Sequence, residues 1–204
     1  MRVLVACEFS GVVREAFRKK GHDAWSCDIL PALDESPYHI EGDVYEHLKQ
    51  VEKYDLIIAH PPCTVLTVAG NGTYSKRPDL WGPAVSFAIG FFDYSTRVCI
   101  ENPVGRLSTL FRKPDQIIQP YQFGHDASKR TCLWFKNLPH LEIDPDKRKP
   151  GRIVEYPPGS STFRERWGNQ TDSGQNALPP SEDRSSIRSI TYPGIAEAFA
   201  SAWG

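Results

Sequence analysis

The stretch that most constrains this chain is residues 54–67, YDLIIAHPPCTVLT. Leu56, Ile57, Ile58 and Ala59 form a short apolar run with β-branched members, the pattern of a strand buried on both faces of a parallel sheet. The run stops at His60-Pro61-Pro62-Cys63. Two successive prolines remove two backbone donors, so the chain must leave the sheet there. In an open α/β sheet the carboxyl ends of the strands are where ligands bind. A cysteine held at such an end by a stiff diproline turn is placed as a nucleophile. The competing reading is a buried thiol that merely packs beneath a loop.

The residues before this stretch predict the rest of such a sheet. Residues 2–6 (RVLVA) read as a first buried strand, and Val12, Val13, Ala16 and Phe17 fall on one face of a following helix. Gly21 is a fitting C′ residue, with Arg18, Lys19 and Lys20 in the last turn at the negative end of the helix dipole. The turn between them, Cys7-Glu8-Phe9-Ser10-Gly11, lets a ligand approach the backbone, although it is not a GxGxxG fingerprint. A second strand over residues 23–27 ends in Asp28, roughly twenty residues after the first turn, where an acid can accept from ribose hydroxyls. Glu41-Gly42-Asp43-Val44 reads as a third strand tip, and Asp43 could accept from an adenine amino group. A helix over residues 45–52 then leads to the central strand. Three β-α units with polar tips predict an α/β, doubly wound, mostly parallel sheet with a nucleoside-sized ligand across those tips.

After Cys63, the Gly-rich polar loop of residues 68–78 carries Asn71, Lys76 and Arg77 and suits a mobile cover over a substrate. A helix over residues 83–94 follows, then a strand over residues 97–100 ending in Glu101-Asn102-Pro103. That repeats the construction of a buried strand followed by a proline-fixed polar tip. Adjacent parallel strands would set Glu101 beside Cys63. The plainer alternative is a strand-end acid paired with an arginine. Residues 131–135 (TCLWF) read as a further strand. From 142 to 188 the composition shifts to Pro, Gly, Ser, Asn, Gln and Arg, and regular structure is not expected for most of it. This segment is either a short recognition element, with Arg164, Arg166, Asn169, Gln170, Gln175 and Asn176 touching phosphates or base edges, or a surface loop that closes the fold. Trp167 and Phe163 are available to pin it to the body. Pro193 opens a last helix.

At 204 residues with a formal net charge of −1 and 40% hydrophobic residues, the chain reads as one ordinary globular domain with at most a small appendage. The organisation expected is a core over residues 1–141, a loop-rich segment over 142–190, and a helix over 191–204 that returns to the core. No apolar run approaches the roughly 20 residues that span a bilayer. MRVLVAC reads as a first strand and not as a leader. Five cysteines without a CxxC pair argue against a disulfide framework and a zinc site, and favour a reducing cytosol. Residues 97–166 hold 13 basic against 8 acidic side chains, which suits a polyanion bound to one face.

Taken together, Phe9-Ser10-Gly11, Asp28, Asp43, Pro61-Pro62-Cys63 and Glu101-Asn102 resemble, in order and spacing, the motifs of DNA cytosine carbon-5 methyltransferases. The whole chain is similar to a compact phage- and prophage-associated group of them, with TYPGIAEAFASAW and WGNQTDSGQN as C-terminal signatures. The chain departs from the usual family pattern at Ala59-His60, where Gly-Gly is usual, and at Pro103, where valine is usual. It has no room for the long recognition domain of larger members. The resemblance implies a Rossmann-like methyltransferase fold, S-adenosylmethionine as methyl donor and DNA as partner, in a bacterial or phage-infected cytoplasm, without metal or membrane. It implies Cys63 as the nucleophile and Glu101 as its partner acid, with Lys129 and Arg130 as a looser match to the family's basic motif. Glu8, Phe9, Ser10, Gly11, Asp28, Ile29, Asp43, Val44 and Pro61 would line the cofactor. Asn71, Lys76, Arg77 and the six polar residues of the C-terminal segment would meet nucleic acid. The Tyr192-Pro193-Gly194 piece would return to line the cofactor pocket. A target inside a duplex must be flipped out, so single-stranded DNA would be the easier substrate. Cysteine chemistry on a free deoxynucleotide or RNA, an amino-group methyltransferase, and a non-catalytic nucleic-acid-binding relative remain as rivals.

Overall fold

The computed structural model describes every residue of the chain except Ala69. In chain order the elements are β1 (Arg2–Ala6), α1 (Val12–Lys19), β2 (Asp23–Asp28), β3 (His39–Glu41), α2 (Val44–Gln50), β4 (Leu56–Ala59), α3 (Asn71–Tyr74), α4 (Trp81–Gly90), β5 (Val98–Pro103), α5 (Leu107–Leu110), β6 (Gln116–Ile118), β7 (Thr131–Lys136), β8 (Arg152–Glu155), β9 (Phe163–Arg166), α6 (Arg184–Ser189) and α7 (Pro193–Trp203). Seven strands form one sheet in the order β3-β2-β1-β4-β5-β7-β6, and β7 alone runs antiparallel to its neighbours. This is the doubly wound, Rossmann-like sheet that the β-α pattern predicts. The strand order reverses between β1 and β4, which are paired in parallel with Ala6 opposite Ala59. A crevice outside those carboxyl ends is where such a sheet binds ligands.

The inner strands are apolar because both faces are covered. Val3, Val5, Ile58, Cys99 and Leu133 pack under α1 and α7, while Leu4, Ile57, Ile100 and Trp134 pack under α2 and α4. Trp203 is fully buried, stacks on Phe199, and donates its indole N–H to Pro139 O at 3.0 Å. That contact clamps α7 over the first face.

Three local differences from the sequence reading matter for the site. β5 does not stop at Ile100. Its parallel pairing with β4 ends there, but the antiparallel partner β7 carries it on, with Glu101 opposite Leu133 and Pro103 opposite Thr131. Asp43 is not a strand tip but the N-cap of α2, accepting from Tyr45 N at 2.8 Å and Glu46 N at 3.0 Å. Such a cap contributes about 1 kcal/mol. The segment after residue 142 is more regular than its composition suggests, with β8 and β9 forming a separate hairpin. Trp167 pins it, stacking on Tyr121 with ring centroids 4.0 Å apart and donating to Lys149 O. Phe163 does not share in this, since it is 67% exposed.

Candidate active site

Cys63 follows the diproline turn at the end of β4 and is half-buried. Its carbonyl accepts from Leu66 N at 3.0 Å and Thr67 N at 2.8 Å, so the chain turns sharply just after the thiol. The turn is clamped from the neighbouring strand connection. Thr67 bridges to Gly105, Arg106 N donates to Leu66 O at 2.7 Å, and the Arg106 guanidinium donates to Val65 O at 2.7 Å while lying over Trp81. A Cβ on Gly105 would collide with the backbone of Leu66 and Thr67, so only glycine permits this approach.

Glu101 projects from β5 on the same face as Cys99, toward His60 and Thr131. Its carboxylate accepts from His60 Nδ1 at 3.3 Å. Burial pushes the Glu101 carboxyl up, but the His60, Lys129 and Thr131 contacts outweigh it and hold the carboxyl below the usual range. The Cys63 thiol is pushed up, first by burial and then by the charge of Glu101, while Lys129 and Arg188 oppose the rise. Lys129 therefore acts on both groups and Arg188 on Cys63 alone. The Lys129 ammonium donates to Arg188 O at 2.9 Å, tying α6 to the site. Arg130 is exposed, and its charge is felt by Cys132 on the other face of β7. The alternation of side chains along the strand separates the two neighbours.

This balance has a measurable consequence. A thiol raised above the ordinary thiol range gives up its proton only at alkaline pH, and only the thiolate is alkylated. Iodoacetamide labelling of Cys63, read by peptide mass spectrometry, is expected to be slow at pH 7.5 and to climb through pH 9 and beyond. Lys129→Gln removes an opposing positive charge and is expected to slow labelling further at any one pH. A faster reaction in that variant would contradict the arrangement.

The cofactor candidates divide. Glu8 is buried and its carboxylate accepts from Val13 N at 2.7 Å, Arg14 N at 3.2 Å and Ser10 Oγ at 3.3 Å. It serves α1, whose N-cap Gly11 has no side chain to do so. Gly11 sits at φ +73°, and a Cβ there would run into the Arg14 guanidinium and the Asp34 carboxylate. Val44 is buried in the first turn of α2, and Pro61 is buried with its carbonyl taken by Asn102 Nδ2 at 2.9 Å. Ile29 is 74% exposed beside Asp28. Asp28 and Asp43 use only Oδ1 in the hydrogen bonds to Leu30, Tyr45 and Glu46. Both acids lie close enough to Cys7 to push its thiol up, after the larger effect of burial. Phe9 is half-buried, its carbonyl accepting from Leu33 N. A cleft of about 370 Å³ runs from this turn between α1 and α7 as far as Lys19 and Lys20, with Asp34 and Pro193 at its near end, and Asp28, Ile29 and Asp43 do not line it. The start of α7 thus returns to the turn after β1. Two convergent acids with acceptor oxygens to spare, beside an exposed apolar Ile29, fit a cationic nucleoside such as S-adenosylmethionine.

The nucleic-acid candidates are mostly engaged in holding the fold. Arg77 chelates Asp79 at 3.1 and 2.9 Å. Arg166 donates to Asp172 O and Glu165 O, Gln170 bonds Trp167 N and Gly174 O, and Asn176 caps Leu178 N. Asn169 exchanges two 2.9 Å bonds with the backbone of Ser128, beside Lys129. Asn71, Lys76, Arg164 and Gln175 are exposed. His60, Gly105, Arg106, Thr131 and Arg188 take part in the site without having been candidates from sequence. Only His60 carried a signal there, as a titratable residue directly before the diproline. Among the described residues, no group of three or more His, Cys, Asp or Glu could hold a metal ion, and no helix is long and apolar enough to cross a membrane.

No protein-family model and no curated protein matches the chain. Solved structures do. A DNA modification methyltransferase encoded within a prophage (E. coli) superposes with a TM-score of 0.46 and 15% identity, covering 66% of this chain and 46% of that one. A mutant of DNMT2 from Spodoptera frugiperda superposes with a TM-score of 0.40 and 17% identity, covering 70% of this chain and 53% of that one. The chain spans about half the length of either.

Proposed function

We propose that this chain is an S-adenosylmethionine-dependent methyltransferase of the compact phage type, acting on carbon-5 of cytosine in DNA through a covalent Cys63 adduct at carbon-6. The observation that supports the reading is that the Cys63 thiol past the end of β4 feels the charges of Glu101 on β5 and of Lys129, with Glu101 held 3.3 Å from His60 at the same diproline turn. Asp28 and Asp43 converge on the neighbouring tips around Cys7.

Carbon-5 of cytosine is a weak nucleophile. Addition of the Cys63 sulfur to carbon-6 breaks the ring's conjugation and leaves enamine character at carbon-5. Glu101 hydrogen-bonds ring nitrogen 3 and places a proton there as negative charge develops during the addition. Lys129 favours the thiolate and faces the exocyclic edge or the phosphate. S-adenosylmethionine supplies the methyl group as an electrophile on sulfonium sulfur. Water then takes the carbon-5 proton, its bond pair forms the carbon-5–carbon-6 double bond and expels Cys63 as the thiolate, and nitrogen 3 returns its proton to Glu101, which restores the aromatic ring. Asp28 and Asp43 orient the nucleoside half of the donor through their carboxylates.

The test is nucleoside mass spectrometry after incubating the protein and S-adenosylmethionine with single-stranded DNA, duplex DNA, RNA and free deoxycytidine nucleotides. 5-Methylcytosine is expected, most rapidly in single-stranded DNA, where no base pair must be opened. N4-methylcytosine would overturn the covalent mechanism. A product on RNA or free nucleotide alone would move the substrate while keeping the chemistry.

A further inference from the structure

We infer that His60 is a positioning residue which shares one proton with Glu101 and supplies it, through Glu101, to the target base. The inference rests on the cytosine reading above. It starts from a conflict within that reading. Glu101 must hand a proton to ring nitrogen 3, yet its surroundings hold the carboxyl below the usual range, so near neutral pH it stands ionised. A carboxylate only accepts hydrogen bonds. The site therefore needs a proton source within reach of Glu101.

Three groups lie against that carboxylate. Thr131 donates its hydroxyl to Lys129 O at 3.1 Å and does not ionise at working pH. Lys129 is tethered to Arg188 O. His60 is the remaining one, with Nδ1 3.3 Å from Glu101 Oε2, and imidazole is the side chain that exchanges protons near neutrality. The ring is well placed to keep that proton local. Its side chain is 11% exposed, and Nε2 is buried with no hydrogen-bond partner among the described residues. The groups facing His60 are Glu101 from β5 and Glu8 from the turn after β1, with Lys129 beyond Glu101 at the start of β7.

The step balances without any further reactant. As the Cys63 sulfur bonds to carbon-6, the single proton on His60 Nδ1 passes to Glu101 Oε2 and Glu101 delivers it to ring nitrogen 3, which leaves His60 neutral and Glu101 a carboxylate. When Cys63 leaves after methyl transfer, nitrogen 3 gives that proton back through Glu101 to His60 and the pair is restored.

Two measurements on the full chain test this. Carbon-13 NMR of the Glu101 carboxyl, assigned with Glu101→Gln, is expected to titrate at higher pH in both His60→Gln and His60→Leu than in the parent protein. An unmoved titration overturns the inference, and this readout needs no methyl transfer. The second is the pH profile of kcat on single-stranded DNA. His60→Gln keeps a hydrogen-bond donor but no exchangeable charge, so the ratio of parent to variant rates is expected to grow several-fold from pH 6 to pH 8. Cys63 ionisation cancels from that ratio. A ratio constant with pH, or full rescue by glutamine, assigns His60 a packing role and overturns the proposal. If the NMR shift is present but the parent protein never methylates cytosine, the cytosine reading fails and the His60–Glu101 pair stands.

Discussion

Cys63→Ala is expected to abolish methyl transfer, with kcat lower by on the order of 10⁴-fold or more, while affinity for S-adenosylmethionine stays within about threefold. The contrast follows from position. Cys63 sits past the end of β4, and the acids assigned to the nucleoside sit at the end of β2 and the start of α2. The Cys63 backbone, not its side chain, accepts from Leu66 and Thr67, so alanine preserves the turn. The side chain is only half-buried, and its loss costs little packing. Isothermal titration with the cofactor and a radiolabelled methyl-transfer assay separate the two quantities. Retained turnover would remove the covalent route. Lost cofactor binding would mean that the thiol shapes the cleft. The parent protein is also expected to form a stable adduct with a 5-fluorocytosine oligonucleotide, because fluorine cannot leave as a proton does, and the alanine variant none.

The parts of this site that can be read from sequence are those fixed by local covalent facts. Apolar runs such as residues 56–59 announce buried strands, and Pro61-Pro62 announces where one must end. β6 and the β8–β9 hairpin escape that reading, because three or four residues with mixed polarity carry no period. Glu8 looked like a ligand contact because it lies in the first turn. Its fate depended on Gly11 being unable to cap α1, which left the Val13 and Arg14 amides seeking an acceptor. The company kept by Glu101 is less legible still. Thr131 reaches it only because β7 inserts antiparallel between β5 and β6 with Pro103 opposite Thr131, a register set by packing across the whole sheet. Arg188 comes near Cys63 through α6, more than a hundred residues away in the chain. Likewise sequence offers Arg77 and Arg166 as nucleic-acid contacts without showing that Asp79 and the hairpin backbone engage their guanidinium groups.

Glu101→Ala is expected to move two readouts of one site in opposite directions. Turnover should fall by about 10²–10⁴-fold, the range for removing a general acid, because charge building on the ring during thiolate addition would have no acceptor. Alkylation of Cys63 should become faster at fixed pH. The carboxylate is the second of the influences that raise the thiol, after burial, and removing it leaves Lys129 and Arg188 opposed by burial alone. A lower thiol pKa means a larger thiolate fraction at pH 8 and more rapid labelling. A loss of fold is distinguished by the buried Cys27, whose thiol does not feel Glu101 and which only a loosened structure would expose, whereas Cys99 and Cys132 feel the same carboxylate. Peptide mapping of all five cysteines distinguishes the cases. If Cys63 labels more slowly in the variant, Glu101 does not face the sulfur, and the acid and the nucleophile do not share a substrate. If labelling quickens while methyl transfer is untouched, the two groups are neighbours but the acid is not part of the chemistry. Faster labelling combined with lost turnover requires that the two act on the same ring.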